Sequence, residues 1–331
     1  MISEGQRIIR DVFAPLSLNA RGAANLADDV ATWQPAPGQE AVISIQTLVA
    51  GVHFGAGDPP GVAAAKALRI NLANLSGKGA SPKVYFLALA IANHTDEDWL
   101  LGFAAGLAAD QQEYGCVLAG GDTVRTPGPV TISITVLGEC PAGQTVRRTG
   151  ARVGDQIYVT GAIGDGALGR ELQFRRPRWA TMLPAADREY LISRFRLPSP
   201  RVGAAAAVRA HARAAMDVSS GLAADLDQLC LASGVAAQLD AMRVPLSDSA
   251  VRALACDRRL MGLCLSGGFD YEILAAVAPE AARSFELDVR RAGIPVTRIG
   301  QCVEGAEREA RVMGSYGAPL KLRRRSWVDL D

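Results

Sequence analysis

No two of the six cysteines in this chain form a CxxC pair, and none stands at zinc-ligand spacing from one of the three histidines. That excludes zinc ribbons and thioredoxin-type redox motifs. Cys116, Cys140, Cys230, Cys256, Cys264 and Cys302 are therefore expected to be buried free thiols in a reducing compartment. Charge of one sign is lacking too: 35 Lys and Arg against 34 Asp and Glu leave a net charge of +1. Without a global field there is no electrostatic footprint for nucleic acid or an anionic membrane. The basic run Arg323, Arg324, Arg325 with Lys321 is local, and reads as a solvated face before a phosphate-binding patch. The longest apolar run, Val84 to Ala92, is about half of the ~20 residues a membrane span requires. The opening Met1, Ile2, Ser3, Glu4, Gly5 carries no basic-then-apolar targeting pattern. These absences point to a soluble, cytoplasmic, ordinary globular protein with no short-period repeat.

What is present is alternation. At 331 residues the chain exceeds what one hydrophobic core serves, which favours two domains. Hydrophobic period predicts a helix over 6–13, a strand over 41–45, a helix over 61–75, a buried strand over 84–92 and a long helix over 96–114. A short strand over 116–119 and an alternating strand over 130–138 follow. Pro141, Gly143, Gly150 and Gly154 then punctuate a basic loop. Beyond it the pattern restarts with strands over 156–160, 214–218, 236–239, 271–276 and 296–299, and helices over 166–174, 187–195, 222–232 and 279–292, with one more after Pro200. The expected architecture is α/β, with interleaved strands and helices, in two domains at residues 1–140 and 141–331.

Several short blocks carry candidate chemistry. Asp28-Asp29 alone is a turn or an N-cap, and Gly120-Gly121-Asp122 alone is a generic tight turn. Gly161 to Gly166 suggests a nucleotide loop but lacks the GxGxxG spacing, and reads as a turn from strand to helix. His53 alone reads as a core or hydrogen-bonding residue. Trp327 is left open between plain packing and ligand contact.

Taken in order, these blocks resemble the bacterial thiamine-monophosphate kinases. Asp28-Asp29-Val30-Ala31 is similar to GDDAA, Thr47 to Phe54 to TLVEGVHF, and Gly120 to Thr123 is a full GGDT. Arg148 to Gly161 resembles the linker and first strand of a second domain, and Ser266 to Glu272 is similar to SGGEDYE. The resemblance implies a two-domain aminoimidazole-ribonucleotide synthetase-like fold, an N-terminal domain whose sheet pairs with its twin in a homodimer, and a C-terminal α/β domain covering the ATP cleft. It implies Mg²⁺, ATP as substrate, and thiamine phosphate as the small-molecule acceptor. Asp29, Ser44, Asp122 and Asp217 match metal ligands, and Gly121, Arg148 and Ser219 match ATP contacts. His53, Phe269 and Trp327 match substrate-side positions.

Three segments depart from the family pattern. Where the family would read STDT, NLSD and DLSDG, the chain has Gln46, Asn74 and Ser220 in place of Asp, and Phe269 stands for a substrate-side Glu. Three metal-site carboxylates remain, those of Asp29, Asp122 and Asp217. Magnesium affinity depends on ligand charge, so each loss is expected to weaken metal binding or activity by more than the roughly 10 to 100-fold of an outer-shell change, and losses sharing the same ions couple. The sequence thus supports an active kinase with an atypical metal site, a nucleotide- or thiamine-phosphate-binding paralogue without catalysis, or a new reaction in the old cleft.

Overall fold

The computed structural model describes residues 4–327. Met1, Ile2 and Ser3 of the opening segment lie outside them. The described residues divide into two compact units, 4–75 with 81–143, and 76–80 with 144–327.

In the first unit α1 (Glu4–Ile8) passes directly into a π-helical turn, Ile9–Phe13, which buries Val12 and Phe13. Then come β1 (Gln39–Val49), α2 (Pro60–Gly77), β2 (Ser81–Ala92), α3 (Glu97–Tyr114), β3 (Val117–Thr126) and β4 (Thr131–Pro141). Asp96 caps α3 by accepting from Trp99 N at 2.8 Å, and Gly115 closes it in the left-handed conformation. The strands form one sheet in the order β1-β4-β2-β3, antiparallel except for the parallel β2–β3 pair.

Strand alternation gives this sheet two different faces. One buries Leu87, Leu89, Ile91, Ile132, Ile134 and Val136. Side chains of α2 reach the same face at β1, where Asn71 and Asn74 meet Ser44. The other face shows Ile43 and Ile45 at 61% and 62% exposure.

The second unit contains β5 (Gln156–Thr160), α4 (Asp165–Phe174), α5 (Ala185–Arg196), α6 (Ala205–His211), β6 (Ala212–Val218), α7 (Leu222–Ser233) and β7 (Ala236–Asp240). After these come α8 (Asp248–Cys256), α9 (Leu260–Ser266), β8 (Glu272–Val277), α10 (Ala282–Arg291), β9 (Val296–Val303) and β10 (Ala310–Met313). Six strands pair in the order β10-β7-β9-β5-β8-β6, which leaves β6 at an edge. Leu222, Leu226 and Leu229 of α7 cover one face, packing on Val159, Met216 and Leu274. Val208 of α6 with Phe285 and Val289 of α10 covers the other, against Tyr158 and Ala275. A third cluster joins α4, α5, α8 and α9 through Leu168, Leu191, Ala250 and Cys264.

The Gly161 to Gly166 segment is a strand-to-helix turn, as its spacing predicts. Asp270 organises it, its carboxylate accepting from Gly164 N at 2.9 Å and Gly166 N at 3.0 Å. Burial holds that carboxyl well above the usual range. Gly161 has φ +58°, and a Cβ there would fall 2.0 Å from Glu272 Oε1, so only glycine fits.

Among the described residues no helix is long and apolar enough to cross a membrane. All six cysteines are free, Cys256 half-buried and the others buried. The basic C-terminal run is not uniformly solvated: Arg325 is clamped to Asp227, Nη2 donating to Oδ1 at 2.6 Å and to Ala310 O at 2.9 Å.

Candidate functional site

The first unit holds a pocket of about 710 Å³, in the range that small ligands occupy. Ile8, Phe13, Leu26, Phe86 and Leu118 give it an apolar wall, while Asp28, Asp29, Gly121 and Asp122 line its polar side. The glycine pair is not the tight turn that it resembles in isolation. β3 runs straight through Gly120, Gly121 and Asp122 to Thr126, extending the short strand expected at 116–119. A Cβ on Gly121 would lie 2.0 Å from Leu87 O, so β2 and β3 approach here only because the side chain is absent.

Gln46, Ser44 and Asn74 do not line this pocket. Asp122 pairs with Ala88, which faces Ser133 and then Thr47, whereas Gln46 lies in the next row with Ile134, Leu87 and Gly121. Adjacent rows project to opposite faces, so Gln46 and Asp122 leave the sheet on different sides. On the helix side Ser44 Oγ donates to Asn71 Oδ1 at 3.1 Å, and Asn71 Nδ2 donates to Ala67 O at 3.0 Å. With its one proton committed, Ser44 accepts from Asn74 Nδ2 at 2.9 Å. Asn74 therefore presents an N–H donor where a carboxylate oxygen would face a cation. This trio does not fit magnesium, which requires oxygen ligands and favours charged ones. Asp29 and Asp122, two carboxylates that line one pocket, are of the type that does. Within either unit, among the described residues, no three His, Cys, Asp or Glu side chains converge as a complete metal cage would require.

His53 sits in the turn after β1, where its Nδ1 accepts from Val49 N at 3.1 Å. The remaining proton of a neutral ring is thereby placed on Nε2.

In the second unit the end of β6 carries Asp217, followed by Ser219, Ser220 and Gly221. One buried carboxylate shapes this loop: Asp225 Oδ2 accepts from the N–H groups of Ser219, Ser220 and Gly221 at 2.9, 2.9 and 3.2 Å. Burial and the nearby Asp217 push the Asp225 carboxyl up to about 7. Asp217 is also raised by its burial, while the Ser219 hydroxyl pulls it down. The sequence reading missed Asp225, and its only signal was a lone acid in the first turn of an apolar helix. Replacing it leaves three donors, one buried and two half-buried, without this acceptor. Asp225→Ala is expected to destabilise the chain by about 3 kcal/mol or more and Asp225→Asn by much less, measured by urea unfolding.

Phe269 lies at φ +65° and is fully buried. Its ring centroid is 4.3 Å from that of Trp327 and 5.2 Å from that of Phe195. Trp327 is also fixed by hydrogen bonds, Nε1 to Ser219 O at 3.1 Å and its N–H to Ser220 O at 3.3 Å. The structure thus brings Ser219, Ser220, Phe269 and Trp327 together, and Trp327 is packed. The Arg170 guanidinium lies 5.5 Å from the Phe269 ring centre and 5.3 Å from that of Trp327, so the chain supplies its own cation to this aromatic pair. Arg170 was not a sequence-level candidate, since nothing in its local pattern marks it. Arg148 is exposed, and its carbonyl accepts from Ser233 Oγ at 3.0 Å.

Residues 27–140 match the AIR synthase related protein, N-terminal domain, and residues 152–313 match the corresponding C-terminal domain. A thiamine-monophosphate kinase of Caulobacter vibrioides is 40% identical over 319 residues, covering 95% of this chain and 88% of that protein. The crystal structure of thiamine-monophosphate kinase from Stenotrophomonas maltophilia K279a is similar with a TM-score of 0.79 at 35% identity, over 89% of this chain and 91% of that one. AaThiL complexed with AMPPCP and TMP follows at 0.75 and 25% identity, over 88% of this chain and 90% of that one.

Proposed function

The chain belongs to the thiamine-monophosphate kinase family, and from that premise we propose that it transfers the γ-phosphoryl of ATP to thiamine phosphate, giving ADP and thiamine diphosphate, at a rate lowered by its uncharged metal positions. The observation that carries this reading is the retention of Asp29 and Asp122 beside one pocket and of Asp217 at the end of β6, within a chain 40% identical to a family kinase. Transfer between two phosphate-bearing substrates gathers negative charge, and catalysis consists mainly of positioning and neutralising it. Magnesium, when bound, supplies part of that neutralisation, and Asp29 and Asp122 in the first unit and Asp217 in the second are the acids assigned to it. Gly121 lets backbone come close to the nucleotide, Arg148 and Ser219 hold phosphate oxygens, and His53 directs an N–H toward the acceptor.

The Ser44–Asn71–Asn74 chain favours a second reading, a binder that keeps a ligand pocket without transfer, because the links that join these three side chains include no acid. The exposed Ile43 and Ile45 support assigning the open sheet face to a second copy of the chain, a homodimer. A steady-state assay with ATP, Mg²⁺ and thiamine phosphate decides between transfer and binding alone. Slow but measurable thiamine diphosphate formation is expected, and no turnover above background rejects the kinase reading.

A further inference from the structure

We propose that the Lys78 ammonium is a built-in cation of the second unit's phosphate site, binding polyphosphate oxygens beside Asp217 and supplying charge that magnesium supplies where all the acids are present. The proposal rests on the ATP-binding reading above.

The geometry begins at β6, whose free edge two short segments cover. Ala215 N donates to Arg147 O at 2.9 Å, and Ala215 O accepts from Lys78 Nζ at 2.6 Å. The segments are tied to each other by Val146 N to Lys78 O at 3.1 Å, and the Lys78 side is held further by Arg209 Nη1 to Gly79 O at 2.5 Å. Gly77 is pressed against the β6 backbone, where a Cβ would come 3.0 Å from Met216 C. Lys78 is therefore fixed in place and does not sweep solvent like a surface lysine. Asp217 follows Ala215 by two residues, about 6.6 Å along a strand, and the Ser219 to Gly221 loop comes next. Arg147 and Arg148 stand exposed on the adjoining segment, and Lys78 and Arg148 both lie near enough to act on the buried Asp217. An ammonium has three donors, and Lys78 directs one of them to protein.

A purely structural lysine would tie down Ala215 O and leave anion binding unmoved. The test is calorimetric titration of ATP into the full chain in EDTA, for the parent, Lys78→Met and Lys78→Arg. The parent is expected to bind ATP without metal. Lys78→Met weakens that binding at least about tenfold and reduces its salt dependence, while Lys78→Arg stays within about threefold. Independently of any variant, ATP in EDTA should protect Lys78 from acetylation in the parent, read by peptide mass spectrometry. Equal affinity of parent and Lys78→Met, absence of protection, or no ATP binding without metal each overturns the proposal. The last result leaves the kinase reading to the turnover assay with Mg²⁺, so the two failures are distinguishable.

Discussion

A variant carrying Gln46→Asp, Asn74→Asp and Ser220→Asp together is expected to form thiamine diphosphate at least about 100-fold faster than the parent chain at saturating magnesium. Each replacement is sterically modest. Gln46 is exposed, Asn74 is nearly isosteric with Asp, and the backbone of Ser220 is already pinned by Asp225. What changes is charge. In the Ser44–Asn71–Asn74 chain, Asp at 74 replaces the donor that faces Ser44 with a charged acceptor. The single reversions should gain far less than the triple one, with multiplicative behaviour failing in the direction of synergy. Adding Phe269→Glu places an acid against Arg170, whose Nε is buried without a hydrogen-bond partner. That fourth change is expected to move KM for thiamine phosphate more than kcat. Rates measured by coupled ADP release at several Mg²⁺ concentrations check all of this, and a triple variant no faster than the parent means that the pocket has diverged beyond its acids.

Glu272→Ala is expected to cause the largest loss of stability, about 3 to 5 kcal/mol, because Glu272 is buried at the centre of a network. Its Oε2 accepts from Arg201 Nε and from Thr160 Oγ1, both at 2.7 Å, and its Oε1 accepts from Arg201 Nη2 at 2.5 Å. Arg194 approaches within 3.5 Å. Removing the acid strands these donors, and Arg201 and Arg194 are each mostly buried. For a unit of this size the melting temperature should fall by roughly 6 to 20 °C. Arg201→Met with Glu272→Leu should recover much of the loss, since a buried pair replaced by apolar groups is often neutral. A Glu272→Ala protein that melts with the parent contradicts the assignment of Glu272 to the framework.

That assignment also shows where sequence reading was strong and where it was thin. The Ser266 to Glu272 block is recognisable as a unit, but its residues divide by role. Phe269 packs with Trp327, whereas Asp270 caps the turn before α4 and Glu272 anchors β8 to Arg201. Spacing cannot separate these, because the partners Gly164, Gly166 and Arg201 lie about 70 to 110 residues away. Most strands and helices were legible from their period. The exceptions include the short strand β10 and the helices α8 and α9, which fall in a stretch rich in Arg, Ala and Cys where tertiary packing on Leu168 and Leu191 decides the helix. The strand character of Gly120 and Gly121 was hidden as well, since paired glycines signal a turn unless a neighbouring strand demands close approach. Asp225 and Lys78 were invisible for the same reason: each acts on backbone groups brought to it by the fold.

The proposed kinase, with three uncharged metal positions, is expected to handle phosphate while relying less on magnesium. This expectation is tested most directly by thiamine diphosphate formation measured side by side for the parent and the triple reversion, across a magnesium titration that begins in EDTA. A slow parent with a shallow magnesium dependence, beside a fast variant with a steep one, is the predicted result. A parent as fast and as steeply magnesium-dependent as its reverted form would contradict it.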